Sequence, residues 1–406
     1  MMKRIVKKLL QPVIRRVPPQ LVFTVGMVPV FAAALLARRV NAVKRQGKPQ
    51  HVVHISPAYF SENSYIGGGE RYVSCLAEAI ADKVDTVLVS FGPARKTFQQ
   101  GTLRVEIYPK TMRLGRRLLP SLWFLREVAA ADVVHCHQYW TPTTILIIFA
   151  AAFFGKRIFV TDHGGATNFL AKQIPLHRLV DGFLPNSTFS KKMIPPGAPS
   201  EIIYGGVDPQ FLEPVPEPAH TGGALYAGRL LPHKGINYLV EGLPPDLPLE
   251  LVGRVYDPKY FALLQKLAQG KDVTFHTQAS DQELIAAYRR AKVTILASVY
   301  TDVYGARHAM PELLGLVLLE SMACGTPVIC THVGAMPEFV EHGVTGFIVP
   351  PNDPAALAEK VALLVGNPAL SRRMGAAGRA RVEQLYTWLA VARRCLDAYQ
   401  TMPRTI

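Results

Sequence analysis

Short runs of β-branched and apolar residues alternate with helical stretches along most of this chain, and this alternation restricts the possible folds more than any other feature. One series starts at residue 51 with "HVVHIS", continues through "ERYVSCLAEAIAD" and "TVLVSF", and ends near "GFLPNS". A second series starts at "ALYAG" and passes through "LELVG", "KVTILAS" and "PVICT". Strands that alternate with helices in this way predict parallel sheets covered by helices.

A segment rich in proline and glycine separates the two series. It reads "EPVPEPAHTGG" from residue 213 and is typical of a linker. The chain of 406 residues is long enough for two α/β domains that each bury a core. We therefore predict two Rossmann-like doubly wound domains, over residues 51–213 and 214–385. Ligands of open α/β sheets bind beyond the carboxyl ends of the strands, so we expect a site where the domains face each other across a cleft.

The first 50 residues have a different pattern, which indicates contact with a membrane. They contain eleven Lys or Arg and no acidic residue, and the apolar run "LVFTVGMVPVFAAALLA" lies between two basic segments. This run is at the lower limit for a bilayer span. An interfacial helix or a re-entrant anchor on an anionic leaflet fits the pattern better, with a true span and a flexible basic arm as alternatives. We expect residues 1–50 to be a membrane-associating extension, peripheral on the cytoplasmic face of the inner membrane.

The remaining composition excludes other classes of protein. Outside the first 50 residues the net charge falls from +15 to about +4, so the basic balance does not indicate nucleic-acid binding. The five cysteines are scattered and form no C-x-x-C pair, which is typical of a reduced, cytoplasmic protein. His135 and His137 share one face of a predicted strand with no partner cluster nearby, so we expect no metal site there.

Two carboxylates bracket the otherwise apolar segment "PELLGLVLLESMACGTPVI". One explanation places both acids on the solvent edge of a buried helix. The other is a helix that begins near Gly315, where unpaired N–H groups and the positive end of the helix dipole form an anion site. Glu312 then stands before the helix and Glu320 lies about a turn and a half inside it, where carboxylates would bind hydroxyls. A ligand with phosphates and sugar hydroxyls fits both features.

Glycines and basic residues follow other predicted strands. Gly68 and Gly69 lie in a glycine loop after the first strand, where a backbone can approach a phosphate closely. Tyr72 occupies the position of the last glycine of the dinucleotide fingerprint, which disfavours a nicotinamide cofactor. Arg229 and Lys234 share a glycine-flanked loop after "ALYAG", and two such cations can neutralise a diphosphate. The chain has no Asp-x-Asp, so we expect no metal ion or other cofactor.

The segments "GGGER", "DHGG", "GRLLPHKG" and "PELLGLVLLESMACGTPVI" together resemble the retaining glycosyltransferases of family 4, which have the two-domain GT-B fold. The likeness runs from about residue 51 to 400. Its most specific part is Glu312 to Glu320, which matches the E-x7-E motif of the family. By this resemblance the last helix, 386–400, returns to the first domain.

The resemblance implies a role for each motif residue. Glu312 would lie against the transferred sugar, with His163 across the cleft, as the catalytic pair, and Glu320 would hydrogen-bond the nucleotide ribose. The donor diphosphate would be bound by Arg229, Lys234, Gly68, Gly69, Gly315 and Leu316. The chain departs from the family pattern at Leu314, where Phe is frequent, and at Gly205-Gly206, where Asn-Gly is frequent. Neither departure affects the charged residues, so we expect activity.

The function predicted from these features is a hexosyltransferase-type transfer (EC 2.4) from a nucleotide-diphosphate sugar to an acceptor hydroxyl. Retention of configuration and deprotonation of the acceptor by the departing phosphate are implied by the family. The basic and apolar extension favours a lipid-linked acceptor in bacterial cell-surface polysaccharide assembly, such as that of lipopolysaccharide. The alternatives are an epimerase or phosphorylase of the same fold, or an inactive membrane-associated binding protein.

Overall fold

The computed structural model describes residues 19–41, 48–57, 68–114, 117–164, 175–213 and 221–405. The chain divides into two compact units. Unit 1 consists of Met1–Pro185, Ile194–Glu201 and Cys395–Ile406, and unit 2 of Asn186–Met193 and Ile202–Arg394. The division therefore lies nearer residue 201 than the linker at 213. The last helix contributes to unit 1 from Cys395 onward.

Unit 1 is built on a mostly parallel sheet with the strand order β3-β4-β2-β1-β6-β7-β8. Its strands are β1 (His51–Ile55), β2 (Asp85–Gly92), β3 (Lys96–Gln100), β4 (Leu103–Leu114), β5 (Arg117–Pro120), β6 (Val133–His137), β7 (Arg157–Thr161) and β8 (Gly182–Phe183). The strands β3 and β5 pair antiparallel to β4, and the other pairs are parallel. The parallel strands follow the doubly wound order 3-2-1-4-5-6, which reverses between β1 and β6.

The described helices of unit 1 cover this sheet. They are α1 (Pro19–Val40), α2 (Gly68–Ala81), α3 (Leu125–Ala130) and α4 (Pro142–Phe153). Thr141 is the N-cap of helix α4, and its side chain accepts a hydrogen bond from the Thr144 backbone N–H. Pro142 suits the first helical position because a backbone N–H there would have no partner within the helix. Ile147 and Ile148 of α4 are buried in the core of unit 1, so this apolar helix packs on the sheet.

The second half of α1 is part of the core of unit 1. Phe31 packs edge-on against Phe149 of α4, and Ala34 is fully buried. Arg38 is 1% exposed and donates to the Asp181 carboxylate at 2.5 Å. The rest of the basic extension, 1–18 and 42–47, lies outside the described residues. Among the helices that the structure describes, none has both the length and the apolarity that a bilayer crossing requires.

The described strands of unit 2 form one parallel sheet in the order β11-β10-β9-β12-β13-β14. They are β9 (Ala224–Ala227), β10 (Leu249–Val252), β11 (Val273–His276), β12 (Val293–Leu296), β13 (Val328–Thr331) and β14 (Gly346–Val349). This is again the order 3-2-1-4-5-6, with the reversal between β9 and β12. Both sheets confirm the doubly wound architecture that the alternating pattern predicts.

The remaining described α-helices precede, separate or follow these strands along the chain. They are α5 (Thr188–Lys191), α6 (Ile236–Gly242), α7 (Pro258–Leu267), α8 (Asp281–Arg290), α9 (Leu316–Ala323), α10 (Met336–Phe339), α11 (Pro354–Gly366), α12 (Pro368–Leu385) and α13 (Trp388–Thr401). Cys324 is the C-cap of helix α9, and Gly325, at φ 78°, turns the chain into β13. This segment therefore passes directly from a helix into a strand.

Candidate active site

The motif residues of unit 2 gather where β9 and β12 end. The strand order reverses between these two strands, and ligands of doubly wound sheets bind outside the carboxyl ends at such a reversal. The chain that follows β9 carries Arg229 and Lys234, and the chain that follows β12 carries Ser298 and Glu312. The fold thus brings two sequence segments about 80 residues apart to one edge of the sheet.

Lys234 and Glu312 form an ion pair at this edge. The Lys234 Nζ donates to Glu312 Oε2 at 2.5 Å, and the Ser298 hydroxyl donates to the same oxygen at 3.3 Å. The two charged side chains are only 10% and 13% exposed. A cation and a carboxylate are therefore held together with little water, where their electrostatic effect on a ligand is larger than at an open surface.

Glycines fix the backbone on both sides of this pair. Gly235 follows Lys234 at φ 64°, and a Cβ there would lie 2.1 Å from the Ala297 carbonyl oxygen. Gly334, at φ 60°, packs so closely that its Cβ would lie 2.1 Å from the Glu312 carbonyl oxygen. Other residues would be both strained and obstructed at these positions, so the glycines let the loops approach each other.

Helix α9 starts beside Glu312. Gly315 is its N-cap at φ 82°, and Leu316 is its first residue, which confirms the helix start predicted from the sequence. No side-chain hydrogen bond caps the first turn within the described part of the chain. The Leu318 N–H donates to the Gly315 carbonyl at 2.9 Å, whereas the first N–H groups of the helix and the positive end of its dipole remain available to an anion.

Glu320 lies in the second turn of α9 and points into the protein. It is 8% exposed, and the hydroxyl of the buried Tyr288 donates to its Oε2 at 2.9 Å. The explanation that both acids occupy a solvent edge is therefore wrong. A buried carboxylate that already accepts one hydrogen bond keeps further acceptor capacity for ligand hydroxyls.

Arg229 differs from Lys234 because its side chain is exposed. Its guanidinium carbon lies 5.8 Å from the centre of the Tyr256 ring, and its backbone carbonyl accepts a hydrogen bond from the Tyr226 hydroxyl at 2.9 Å. The backbone is thus held while the cation stays in solvent.

A pair of histidines beside Lys234 was not predicted. The rings of His233 and His308 lie 5.0 Å apart, and the His308 Nε2 is 2.8 Å from Asp302 Oδ2. Burial, and then the Lys234 cation, lower the pKa of His233 to about 4. The sequence "TDVYGARH" indicates only weakly that Asp302 and His308 contact each other. Their proximity to His233 depends on the fold and has no local sequence signal.

The two departures from the family pattern lie in contact within unit 2. A Cβ on Gly205 would lie 2.5 Å from the Leu314 Cδ2, and one on Gly206 would lie 2.6 Å from the Trp388 ring. A residue with a side chain at 205 would require Leu314 to move.

In unit 1 the structure brings His163 and the start of α2 together. His163 follows β7, and a Cβ on Gly69 would lie 3.5 Å from the His163 Cβ. The Tyr72 ring lies 4.7 Å from the His163 ring, while a Cβ on Gly68 would meet nothing within 4 Å. Gly67 and Gly165, which flank these motifs, lie outside the described residues.

Two family models match the chain in succession. "Glycosyltransferase Family 4" matches residues 66–211, and "Glycosyl transferases group 1" matches residues 214–381. A phosphatidyl-myo-inositol mannosyltransferase of Mycobacterium leprae is 30% identical over 355 residues, which are 82% of this chain and 88% of that protein. The chain belongs to glycosyltransferase family 4. It is therefore a glycosyltransferase of enzyme class EC 2.4.

Other relatives of this glycosyltransferase agree in fold. Sucrose-phosphate synthase of Thermosynechococcus elongatus has a TM-score of 0.65 at 23% identity, over 86% of this chain and 98% of that one. HepE of Anabaena in complex with UDP-glucose has a TM-score of 0.67 at 17% identity, over the same shares. The fold is GT-B, as the resemblance implies.

One expectation about the glycosyltransferase is wrong, since "HCH" does have partners. Strands β1 and β6 pair in parallel with His54 opposite His135, so both side chains lie on the face that His137 shares. Ring nitrogens of His54, His135 and His137 lie within 4.8 Å of one another. Because β1 and β6 are far apart in sequence, their register is invisible to a reading of local motifs.

Proposed function

We propose that this glycosyltransferase moves a sugar from a nucleotide-diphosphate donor to an acceptor hydroxyl, with retention of configuration and without a metal ion. The observation that carries the proposal is the buried Lys234–Glu312 pair at the strand reversal of unit 2, beside the start of α9. A cation and an uncapped helix start suit a diphosphate, and a carboxylate beside them suits a sugar. The relative from Anabaena was solved with UDP-glucose, which is consistent with such a donor.

Binding of the donor would redistribute the hydrogen bonds of this pair. The Lys234 Nζ would donate to a phosphate oxygen, which releases Glu312 to face the sugar. Arg229, the first amides of α9 at Gly315 and Leu316, and the loop at Gly68 and Gly69 would add to the stabilisation of the diphosphate. Such preorganised donors act on the charge that develops on the leaving group, which is the largest contribution to many enzymatic rates.

The two carboxylates and His163 would position the remaining parts of the donor. Glu320, held by Tyr288, would accept hydrogen bonds from the ribose hydroxyls. Glu312 would stabilise positive charge at the reacting carbon, without forming a covalent bond to it. The departing phosphate would take the proton of the acceptor, and His163 would contact the sugar.

The acceptor in this proposal is a lipid-linked glycan at the cytoplasmic face of a bacterial inner membrane, in assembly of a cell-surface polysaccharide such as lipopolysaccharide. Helix α1 packs one face on unit 1 and exposes apolar side chains on the other, with Leu36 65% and Val40 74% exposed. The first 50 residues contain no acid, and apart from Arg38, which is buried against Asp181, they add ten cations, which favours anionic lipid. The mycobacterial relative is named for a lipid, phosphatidyl-myo-inositol.

A donor screen tests the transfer. Purified protein is incubated with UDP-, GDP- and ADP-sugars, with and without a bacterial membrane lipid extract, and release of nucleotide diphosphate is followed beside Glu320→Ala. We expect release with one donor, a rise with lipid and loss in the variant. Release that needs no acceptor and yields an altered sugar would support the epimerase alternative. Absence of release and of binding with every donor would contradict the proposal.

Vesicle sedimentation tests the membrane surface. The double change Leu36→Glu and Val40→Glu places acids on the exposed face of α1, so we expect at least tenfold weaker binding to vesicles that contain phosphatidylglycerol. Leu363→Glu changes an apolar residue of unit 2 that is 40% exposed, and should leave binding unaltered. Equal binding by both variants would contradict attachment through α1.

A further inference from the structure

Three histidines of unit 1 form a hydrogen-bonded row that ends at His163. The His163 Nε2 lies 3.1 Å from the His137 Nδ1, and the His137 Nε2 lies 3.0 Å from the His54 Nδ1. Adjacent ring planes are within 11° and 21° of parallel. Each contact therefore joins one nitrogen of one ring to one nitrogen of the next, as in an N–H···N hydrogen bond.

The row restricts the tautomers of its members. A neutral imidazole has one N–H donor and one acceptor nitrogen, so a ring that donates at one nitrogen accepts at the other. All three rings must therefore carry the proton on the same nitrogen, either Nδ1 or Nε2. With Nδ1 protonated, His54 donates to His137, His137 donates to His163, and the His163 Nδ1–H points away from the row.

The far end of the row favours one of these two states. The His54 Nε2 is buried and has no hydrogen-bond partner within the described residues. Protonation at Nε2 throughout would leave an unpaired N–H there, whereas protonation at Nδ1 leaves only an unpaired acceptor. Buried N–H groups without a partner are rarer in proteins than acceptors without one. The geometry thus favours the Nδ1–H tautomer along the row.

Burial keeps these rings uncharged. It lowers the pKa of His54 to about 3 and that of His163 to about 4, and lowers the pKa values of His135 and His137 well below the usual value. Among the described residues, the titratable groups around the row are Tyr72, Tyr399, Cys395, His135 and Asp162. The Asp162 carboxylate accepts the Gly164 N–H at 2.9 Å, and none of the described carboxylates contributes to these four shifts.

A metal ion fits the same histidines less well. Both ring nitrogens of His135 already have partners, the Tyr399 hydroxyl at 2.7 Å and the Thr161 hydroxyl at 2.8 Å. Both nitrogens of His137 are used in the row. A metal would have to break several of these hydrogen bonds and would lie in a buried site without an anionic ligand among the described residues.

We propose that His54 and His137 are positioning residues that hold His163 as a neutral ring with the proton on Nδ1. His163 then presents a fixed hydrogen-bond donor, suited to a hydroxyl or phosphate oxygen of a ligand. The part of this inference that concerns the ligand rests on the proposed sugar transfer. The tautomer does not, because it is a property of unit 1 in the absence of substrate.

Nitrogen-15 NMR of the full-length protein with labelled histidine reads the tautomer directly. We expect the His163 ring to be neutral from pH 5.5 to 8 with its proton on Nδ1. His137→Leu removes the donor and should give a mixture of tautomers, whereas the amide of His137→Asn can still donate from the position of Nδ1 and should restore the native signal. His54→Leu and His54→Asn give a second pair if the first does not fold.

Activity adds a second readout. We expect kcat/KM to fall roughly tenfold in the leucine variants and to recover in the asparagine variants, as for loss of one neutral hydrogen bond. A native His163 with the proton on Nε2, or a tautomer unchanged by both leucine variants, would overturn the proposal. Zinc that raises the melting temperature of the native protein and shifts the ring signals of His54, His135 and His137 would overturn it in favour of a metal site.

Discussion

At the residue scale, Tyr288 belongs to none of the sequence motifs, but its hydroxyl donates a hydrogen bond to Glu320 of the proposed nucleotide site. Tyr288→Phe removes the donor and leaves the buried carboxylate less constrained. Loss of one such bond costs about 1 kcal/mol, so we expect the KM for the donor to rise about fivefold with a smaller change in kcat.

Tyr108→Phe is a matched control for this change. Tyr108 is also buried, and its hydroxyl donates to the Glu127 carboxylate at 3.0 Å within unit 1. It should lower stability without altering the KM for the donor. Equal kinetic effects of the two variants, measured by steady-state assays over donor concentration, would contradict the positioning of Glu320 by Tyr288.

The buried histidines of unit 1 predict how stability depends on pH. Their pKa values in the folded protein lie below the ordinary 6.5, at about 3 for His54 and about 4 for His163. Between pH 6.5 and about 4 the unfolded chain therefore binds more protons, so the free energy of unfolding falls as the pH is lowered through this window. Each histidine contributes about 1.4 kcal/mol per pH unit.

Urea unfolding between pH 7.5 and 5.0 measures this slope. His54→Asn removes one of the buried rings and should reduce the pH dependence by about one proton. His332→Asn changes an exposed histidine and should leave it unaltered. The explanation fails if His54→Asn has the same slope as the native protein.

At the element scale, α1 is attached to unit 1 by a buried ion pair. Arg38 donates to Asp181, and its Nε donates to the Thr405 carbonyl at 2.8 Å. Arg38→Met leaves the Asp181 carboxylate buried without its main cation. We expect the free energy of unfolding to fall by about 3–5 kcal/mol in urea titrations.

Arg39→Met provides the comparison, because Arg39 is the next residue on the same helix but is exposed. Substitutions at such positions usually change stability by no more than about 0.5 kcal/mol. If the two methionine variants were equally stable, α1 would not be held by Arg38.

The packing of α1 also shows which features could be predicted from the sequence and which could not. Strands, the start of α9 at Gly315 and its end before Gly325 follow from local pattern, and the structure confirms them. The partner of Arg38 lies 143 residues away, and basic and apolar composition alone indicated only a membrane extension. The local sequence pattern therefore predicts individual helices and strands, whereas contacts between residues far apart in the sequence are known only from the structure.

The same distinction holds for the candidate site. The charged residues of unit 2 were identified from motifs, and the strand order explains why they meet, since both loops follow strands at the reversal. The row of histidines was missed because it depends on the register of β1 against β6. Tyr288 was missed because an apolar helix position gives no signal of its hydroxyl contact.

At the scale of the whole molecule, each unit has a doubly wound sheet of the same strand order, and the candidate residues of each unit lie where that order reverses. In unit 2 the loops after the strands of the reversal carry the ion pair and the start of α9. In unit 1 His54, His135 and His137 lie on β1 and β6, which are the strands of the reversal. Family membership identifies a glycosyltransferase, and the geometry of each unit indicates which residues to change.

The central claim is that the Lys234–Glu312 pair opens to receive a diphosphate and a sugar, and one calorimetric experiment tests it most directly. The nucleotide diphosphate released in the donor screen is titrated into the native protein, Lys234→Met, Glu312→Gln and Lys266→Met, the last an exposed control on α7.

Lys234→Met should weaken binding about a hundredfold, the scale of one lost charge-stabilising donor. Glu312→Gln should bind at least as tightly as the native protein, because the competing carboxylate is neutral, while its transfer activity is lost. Parallel loss of binding in both variants, or native affinity in Lys234→Met, would contradict the account.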